Sequence, residues 1–530
     1  MRLAKFFCAM IAALLFSLPV WAASHDRDDD GLRVRHVLLI SVDGMHALDL
    51  TNYVATHPNS TLAQLSAQGK TFTNAYTPYV SDSFPGLAAL ITGGSPISAG
   101  LWYDVSYNRK LSPPKETTLN GIPGGPNLCP GTVGAPFEYD EGVDFDLTRL
   151  DAGGGIDADR LPRDPANGCN PVFPHQYLRV NTIFNVARQA GLYSAWVDKH
   201  PAYEWVNGPS NHGTNDFFGP EVNSIAVPLT TAPFDVPRCH TLPDTVNTDD
   251  WTKSALNITC YDEIKVNAII NQIDGFTHDR SKRAPIPAIF GMNFQAVSVG
   301  QKLKGAGYKD VLGTPSAARA GDLGFVDQSL GRMVSELKKQ GVFDDTLIII
   351  GAKHGQSPID IQKKTAINDG LPASTVGPAY AFDISDDASL IWLNDSSKTA
   401  AVVANLSTPA NQAALGIQEI FALQTMANKF DSAPQDERTP DILLKVNTGV
   451  IFTTGSKIAE HGGMNEDDRH IALLLSVPGM KAQQIKTPVL NQQVAPTILR
   501  ALGLDPDALE AVRQERITVL PFIFEHDNDR

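Results

Sequence analysis

The stretch R-H-V-L-L-I-S-V-D-G-M, Arg35 to Met45, decides the fold class. Val37 to Val42 is a nearly unbroken apolar run, rich in β-branched residues, that stops at Asp43-Gly44. Such a run predicts a strand buried on both faces, the pattern of a parallel sheet. Working outward, similar strands return in L-Y-S-A-W-V-D (192–198), I-P-A-I-F-G-M-N-F (286–294) and D-T-L-I-I-I-G (345–351). T-F-T-N-A-Y (71–76), D-I-L-L-K-V (441–446) and R-H-I-A-L-L-L-S (469–476) predict further strands. Between them lie helical patterns: 61–69, a helix opening at Pro85, 176–191, 261–275, 323–340 and 490–504. Strands alternating with helices predict an α/β fold: a central, mainly parallel sheet flanked by helices. Ligands of such sheets sit at the carboxyl ends of the strands.

The chain has 530 residues, 42% apolar and 19% charged, as expected of a globular protein. A net charge of −15 argues against a nucleic-acid-binding face. M-R-L-A-K, an apolar run and then W-A-A-S read as a signal peptide over 1–22. The mature chain is therefore expected to be secreted or periplasmic, and no later segment has the length of a membrane span. A charged tail over 23–34 reads as disordered. Without the signal peptide four cysteines remain, an even number in an oxidising compartment. Of three possible pairings, proximity in sequence favours Cys129–Cys169 and Cys239–Cys260. Gly, Pro, Asp and Asn crowd residues 104–175, which read as a disulfide-stapled insertion; 200–260 is loop-rich, and 506–530 a C-terminal extension. Oligomeric state is not encoded in any pattern of the chain.

Polar residues stand where the buried strands stop: Asp43, Asn293 and Gln295, then Lys353 and His354. His461 precedes a Gly-Gly pair and a strand. In S-D-S-F-P-G-L-A-A-L-I-T-G-G (81–94), Ser83 precedes a proline suited to the first turn of a helix. A hydroxyl there either caps the helix or attacks a phosphoryl group held by the first-turn N–H groups. As a nucleophile it needs a neighbouring base, metal or cation. Asp198-Lys199-His200, after the strand at 192–198, either feeds the cleft or forms a solvated turn, and the turn is the favoured reading.

Taken together, V-L-L-I-S-V-D-G-M, S-F-P-G-L-A-A-L-I-T-G-G-S-P-I-S-A-G-L-W-Y-D, L-I-I-I-G-A-K-H-G, A-E-H-G-G and V-A-P-T-I-L-R-A-L-G-L resemble the alkaline phosphatase superfamily. The branch they resemble is the type I phosphodiesterases and nucleotide pyrophosphatases. The resemblance implies an alkaline-phosphatase-like catalytic domain over 35–505. It implies Ser83 as nucleophile and Asp43, His354 and His461 as metal ligands. The implied substrate is a small phosphoester or nucleotide-like molecule.

The chain departs from that pattern at charged positions. The family's D-H-G is K-H-G, so Lys353 replaces a carboxylate, and Gln295 and Gln301 stand nearest a missing Asp and His. The Asn that often follows F-P is Gly86. Two divalent ions need anionic ligands. The expectation is therefore a metal-poor site, with zero to two ions, zinc by family, and one favoured. Lys353 would then serve as a catalytic cation. The favoured activity is hydrolysis of phosphoric diesters. The alternatives are a phosphate- or nucleotide-binding relative without turnover, or a sulfatase- or phosphomonoesterase-like hydrolase. Leu87 stands where the sulfatase motif has Arg, and no G-x-S-x-G elbow occurs.

Overall fold

The computed structural model describes residues 32–125, 129, 131–224, 236, 239, 251–430 and 436–524. The signal peptide predicted over 1–22 lies outside them, as does the charged tail up to residue 31. Leu32 and Val34, the end of that tail, pack against the core, and the Val34 N–H donates to the Ala501 carbonyl.

Eight strands build the central sheet: His36–Val42 (β1), Gly69–Phe72 (β2), Ala195–Val197 (β3), Asp216–Phe218 (β4), Ile289–Phe294 (β5), Thr346–Gly351 (β6), Leu474–Ser476 (β7) and Gln483–Ile485 (β8). Their spatial order is β8-β2-β7-β6-β1-β5-β3-β4. β1 runs parallel to both β5 and β6, and β3 runs parallel to β5 and β4. Only β7 is antiparallel to its neighbours. β5 and β6 are buried throughout, and β1 is buried from Val37 on, which explains their near-continuous apolar sequence. The helices Ser83–Thr92 (α1), Ala255–Ile273 (α2), Ala317–Lys339 (α3) and Val494–Ala501 (α4) complete the main layers. α2 packs on α3, and α4 on α1. α1 is buried at every position, so it has no polar face, and Gly93 ends it at φ 75°.

Some local expectations give way to tertiary constraints. The predicted helix over 176–191 is two short ones, Pro174–Tyr177 and Ile183–Gln189, because Thr182 starts a new N-cap. The strand expected over 71–76 splits into β2 and a separate bridge pair at Ala75–Tyr76. Ile442–Val446 is a strand, but in a second, antiparallel sheet with Tyr380–Ser385, Ala388–Leu393 and Ile417–Ala422. This sheet has its own apolar core around Ile391, Leu406, Leu444 and Val446. The insertion carries little regular structure beyond the hairpin Val105–Asn108 with Ala135–Glu138. Within the loop-rich 200–260, β4 joins the edge of the main sheet. Both disulfides, Cys129–Cys169 and Cys239–Cys260, are formed. The C-terminal extension is built into the body: Glu515 accepts from Ser95 and Gln492.

Candidate active site

Four adjacent parallel strands, β3, β5, β1 and β6, deliver their carboxyl ends to one place. They bring Asp198 and Lys199, Asn293 and Gln295, Asp43, and Lys353 and His354. The N-terminus of α1 adds Ser83, and the segment before Gly462 adds His461. Above them opens a cleft of about 460 Å³. Its floor includes Ser83, Lys199, Gln295, His354 and His461. The insertion supplies Asp104, Asp140 and Glu141 to the wall, and the hairpin turn of the second sheet supplies Asp386.

Asp82, not Ser83, caps α1: its carboxylate accepts from the Phe84 N–H at 3.0 Å. Pro85 has no N–H, and the Gly86 N–H donates to the Asp82 carbonyl. These first-turn donors are therefore satisfied, and the expected anion cradle of Phe84 and Gly86 amides is not there. Ser83 is left as the first helical residue, 1% exposed, with its hydroxyl free of capping duty. Ser83 Oγ lies 3.3 Å from His354 Nε2 and 3.3 Å from Lys199 Nζ. His354 Nδ1 is 2.8 Å from the Gly355 carbonyl, which can only accept, so Nδ1 carries the proton. Nε2 of the neutral ring is then an acceptor, and the serine O–H points at it. Burial, with His461 beside it, holds the His354 imidazole well below its ordinary pKa, so it is neutral at pH 7. Burial and Lys302 bring His461 down to about 3, against the pull of Glu460.

The segment around Lys199 is not the solvated turn favoured by its sequence. Asp198 and His200 are 0% and 1% exposed, and Lys199 lines the cleft. Burial opposes its charge, but Asp104, Asp43, Asp82 and Asp198 outweigh that and raise its pKa. Lys353, the expected catalytic cation, is instead wholly buried beneath the cleft. Its ammonium sits 3.0 Å from Asp198 and 3.6 Å from Asp43, over the Tyr203 ring at 4.4 Å. The signal for Lys199 was available in sequence: a lysine two residues past the end of a core strand.

Asp43 is crowded by donors. Ser41 Oγ donates to one oxygen at 3.0 Å; Asn293 Nδ2 and Gln295 Nε2 donate to the other at 3.0 and 2.6 Å. Burial alone would raise its pKa, but Lys353, Lys199 and the Asn293 amide hold it well below the usual range. Asn293 in turn accepts from Lys265 Nζ of α2 at 2.9 Å, and Lys265 pairs with Asp262 at 3.0 Å. Gln301 lies elsewhere: its amide donates to the carbonyls of Gln356 and Pro358.

The predicted ligands Asp43, His354 and His461 do come together. His354 Nε2 is 4.0 Å from Asp43, and the two imidazoles stack at 3.9 Å. They do not fit a metal, however. Asp43 is filled by donors, an ammonium stands 3.6 Å from it, and the ring planes lie side by side. Two unit charges 4 Å apart interact by about 4 kcal/mol at the effective dielectric of such sites, and a divalent ion doubles that repulsion. Among the described residues no group of three or more His, Cys, Asp or Glu is placed to hold a metal.

The described chain is similar in fold to murine ectonucleotide pyrophosphatase/phosphodiesterase 5, with a TM-score of 0.55 and 13% identity. That match covers 89% of this chain and 96% of the other. Alkaline phosphatase PafA aligns over the same shares with a TM-score of 0.59 and 13% identity. Human ectonucleotide pyrophosphatase/phosphodiesterase 5 aligns with a TM-score of 0.54 and 14% identity, over 92% of this chain and 96% of that one. No curated protein is matched by sequence. The family model for type I phosphodiesterase / nucleotide pyrophosphatase matches residues 37–123 and 179–468. It leaves out most of the insertion and takes in every strand end at the cleft. With its alkaline-phosphatase-like α/β fold, the chain belongs to the type I phosphodiesterase / nucleotide pyrophosphatase family of hydrolases.

Proposed function

We propose that the chain is an exported hydrolase of phosphoric diesters that works through a covalent seryl intermediate on Ser83. One observation carries this reading: a serine hydroxyl on the floor of a cleft, 3.3 Å from both a neutral imidazole nitrogen and an ammonium. Ser83 Oγ attacks phosphorus while its proton passes to His354 Nε2. Lys199 faces the negative charge that gathers on the phosphoryl oxygens. The bond to the leaving alcohol breaks and its oxygen takes up a proton from solvent. Water then attacks the seryl phosphoester and gives its proton to solvent, while His354 returns the proton it took to Ser83 Oγ, which leaves as the free hydroxyl. Lys353 is a positioning residue: it holds Asp43 and Asp198 behind the reacting groups.

Diester substrates, nucleotide-like ones included, rest on the family. A structure of the murine relative holds AMP. Export rests on the signal sequence and the two disulfides. No described helix is long and apolar enough to cross a membrane. The residues around Asp43 do not suit the one zinc ion expected from sequence. A binding relative without turnover would have no need of an uncapped serine aimed at an imidazole lone pair.

Hydrolysis of bis-p-nitrophenyl phosphate by wild type and Ser83→Ala tests the proposal. Activity that falls by three orders of magnitude or more supports a nucleophile. Equal activity in both proteins sinks it, and no activity in either favours the binding relative.

A further inference from the structure

We infer that this site is metal-independent by construction, with buried lysine ammoniums permanently holding the ground around Asp43 that divalent ions would take. Three lysines from three elements converge there. Lys353, after β6, contacts Asp43 and Asp198. Lys265, on α2, reaches Asp43 through Asn293. Lys199, after β3, reaches Ser83. Buried carboxylates partner two of them, Asp43 and Asp198 for Lys353 and Asp262 for Lys265.

A metal site that had merely decayed would leave its surviving carboxylate short of partners, at the cost of burying an unpaired charge. Here the ground around Asp43 is filled by donors. An ammonium stands in the K-H-G position. The amides of Asn293 and Gln295 both donate to Asp43 Oδ2. Asp262, which pairs with Lys265, also accepts the Gln295 and Ala296 backbone N–H groups at 2.8 Å. The aromatic wall takes part, since the Tyr203 ring lies under Lys353 and edge-on to Phe84, the residue after the nucleophile. Asp43 is fully partnered without any ion. A divalent ion at Asp43 would have to displace two amides and face Lys353.

The inference rests on the reading above for what the lysines serve, but it is read out separately. The full-length exported chain is incubated with zinc chloride and desalted, and its metal is counted by plasma mass spectrometry. Thermal unfolding is followed with and without zinc or EDTA. Wild type is expected to hold no stoichiometric zinc, and its Tm to move with neither addition. Lys353→Asp restores the family's carboxylate and is expected to gain zinc and a zinc-dependent rise in Tm. Wild-type protein that retains an equivalent of zinc, released by Asp43→Asn, overturns the inference. If Lys353→Asp does not fold, the wild-type count and the Asp43→Asn comparison still decide. Zinc-free protein without diesterase activity would sink the proposed function and leave this inference standing; active protein that needs zinc would do the reverse.

Discussion

At Ser83 the decisive fact is which neighbour does the capping. Because Asp82 takes the helix terminus, the serine oxygen is free to face His354 and Lys199. Lys199→Met should lower kcat/KM by about two to three orders of magnitude, the usual effect of removing one charge-stabilising donor. Steady-state kinetics on a diester check this, and an unchanged kcat/KM would remove Lys199 from the mechanism. The pH profile has a definite sign. His354 must be neutral, and its pKa lies below 6.5; Lys199 must be protonated, and its pKa lies above 10.5. Activity should therefore be flat from about pH 7 to pH 10, falling in acid as the imidazole gains a proton and in alkali as the ammonium loses one. A bell centred near pH 7 would contradict these assignments. The sequence makes Ser83, Asp43, His354 and His461 legible because each abuts a strong strand or helix signal. It marks both lysines by their place after a core strand but does not say which one reaches Ser83, since side-chain reach across the sheet edge has no local signature.

At the scale of elements, α1 is pressed directly against the segment after β6. A Cβ on Gly86 would lie 2.1 Å from the Lys353 carbonyl oxygen. That is the physical reason this position, often Asn in the family, is Gly here. Gly86→Ala should destabilise the fold by about 1–3 kcal/mol, as overpacking does, and lower activity by shifting Ser83 away from His354. Denaturant unfolding with the diester assay reads both, and an unperturbed variant would show that the contact is slack. The parallel strands were plain in sequence, because burial on both faces leaves an unbroken apolar run. The second sheet was not: its strand Tyr380–Ser385 is half-buried throughout, and a polar turn at Asp386-Asp387 interrupts the pattern. That turn nevertheless brings Asp386 to the cleft, where it accepts from Tyr103 at 2.5 Å.

Across the whole molecule, the central sheet carries a cleft whose wall is built in part by the insertion. The insertion, which the family model largely omits, supplies acidic residues to the cleft and is stapled by Cys129–Cys169 over 40 residues of chain. Loop-closure entropy gives such a bridge about 3–4 kcal/mol. Cys129→Ser with Cys169→Ser should lower Tm and raise KM more than it lowers kcat, because the wall loosens while the floor stays put. A loss of kcat at unchanged KM would mean that the insertion acts on the chemistry itself. Composition marked the insertion but not its place over the cleft, which depends on contacts between residues hundreds of positions apart. The proposed mechanism is a double displacement at Ser83, and the stereochemical course at phosphorus tests it most directly. Hydrolysis of a phosphorothioate diester of known configuration in oxygen-18 water should proceed with retention, since two in-line displacements restore the original hand. Inversion would show that water attacks the substrate directly and would contradict the seryl intermediate.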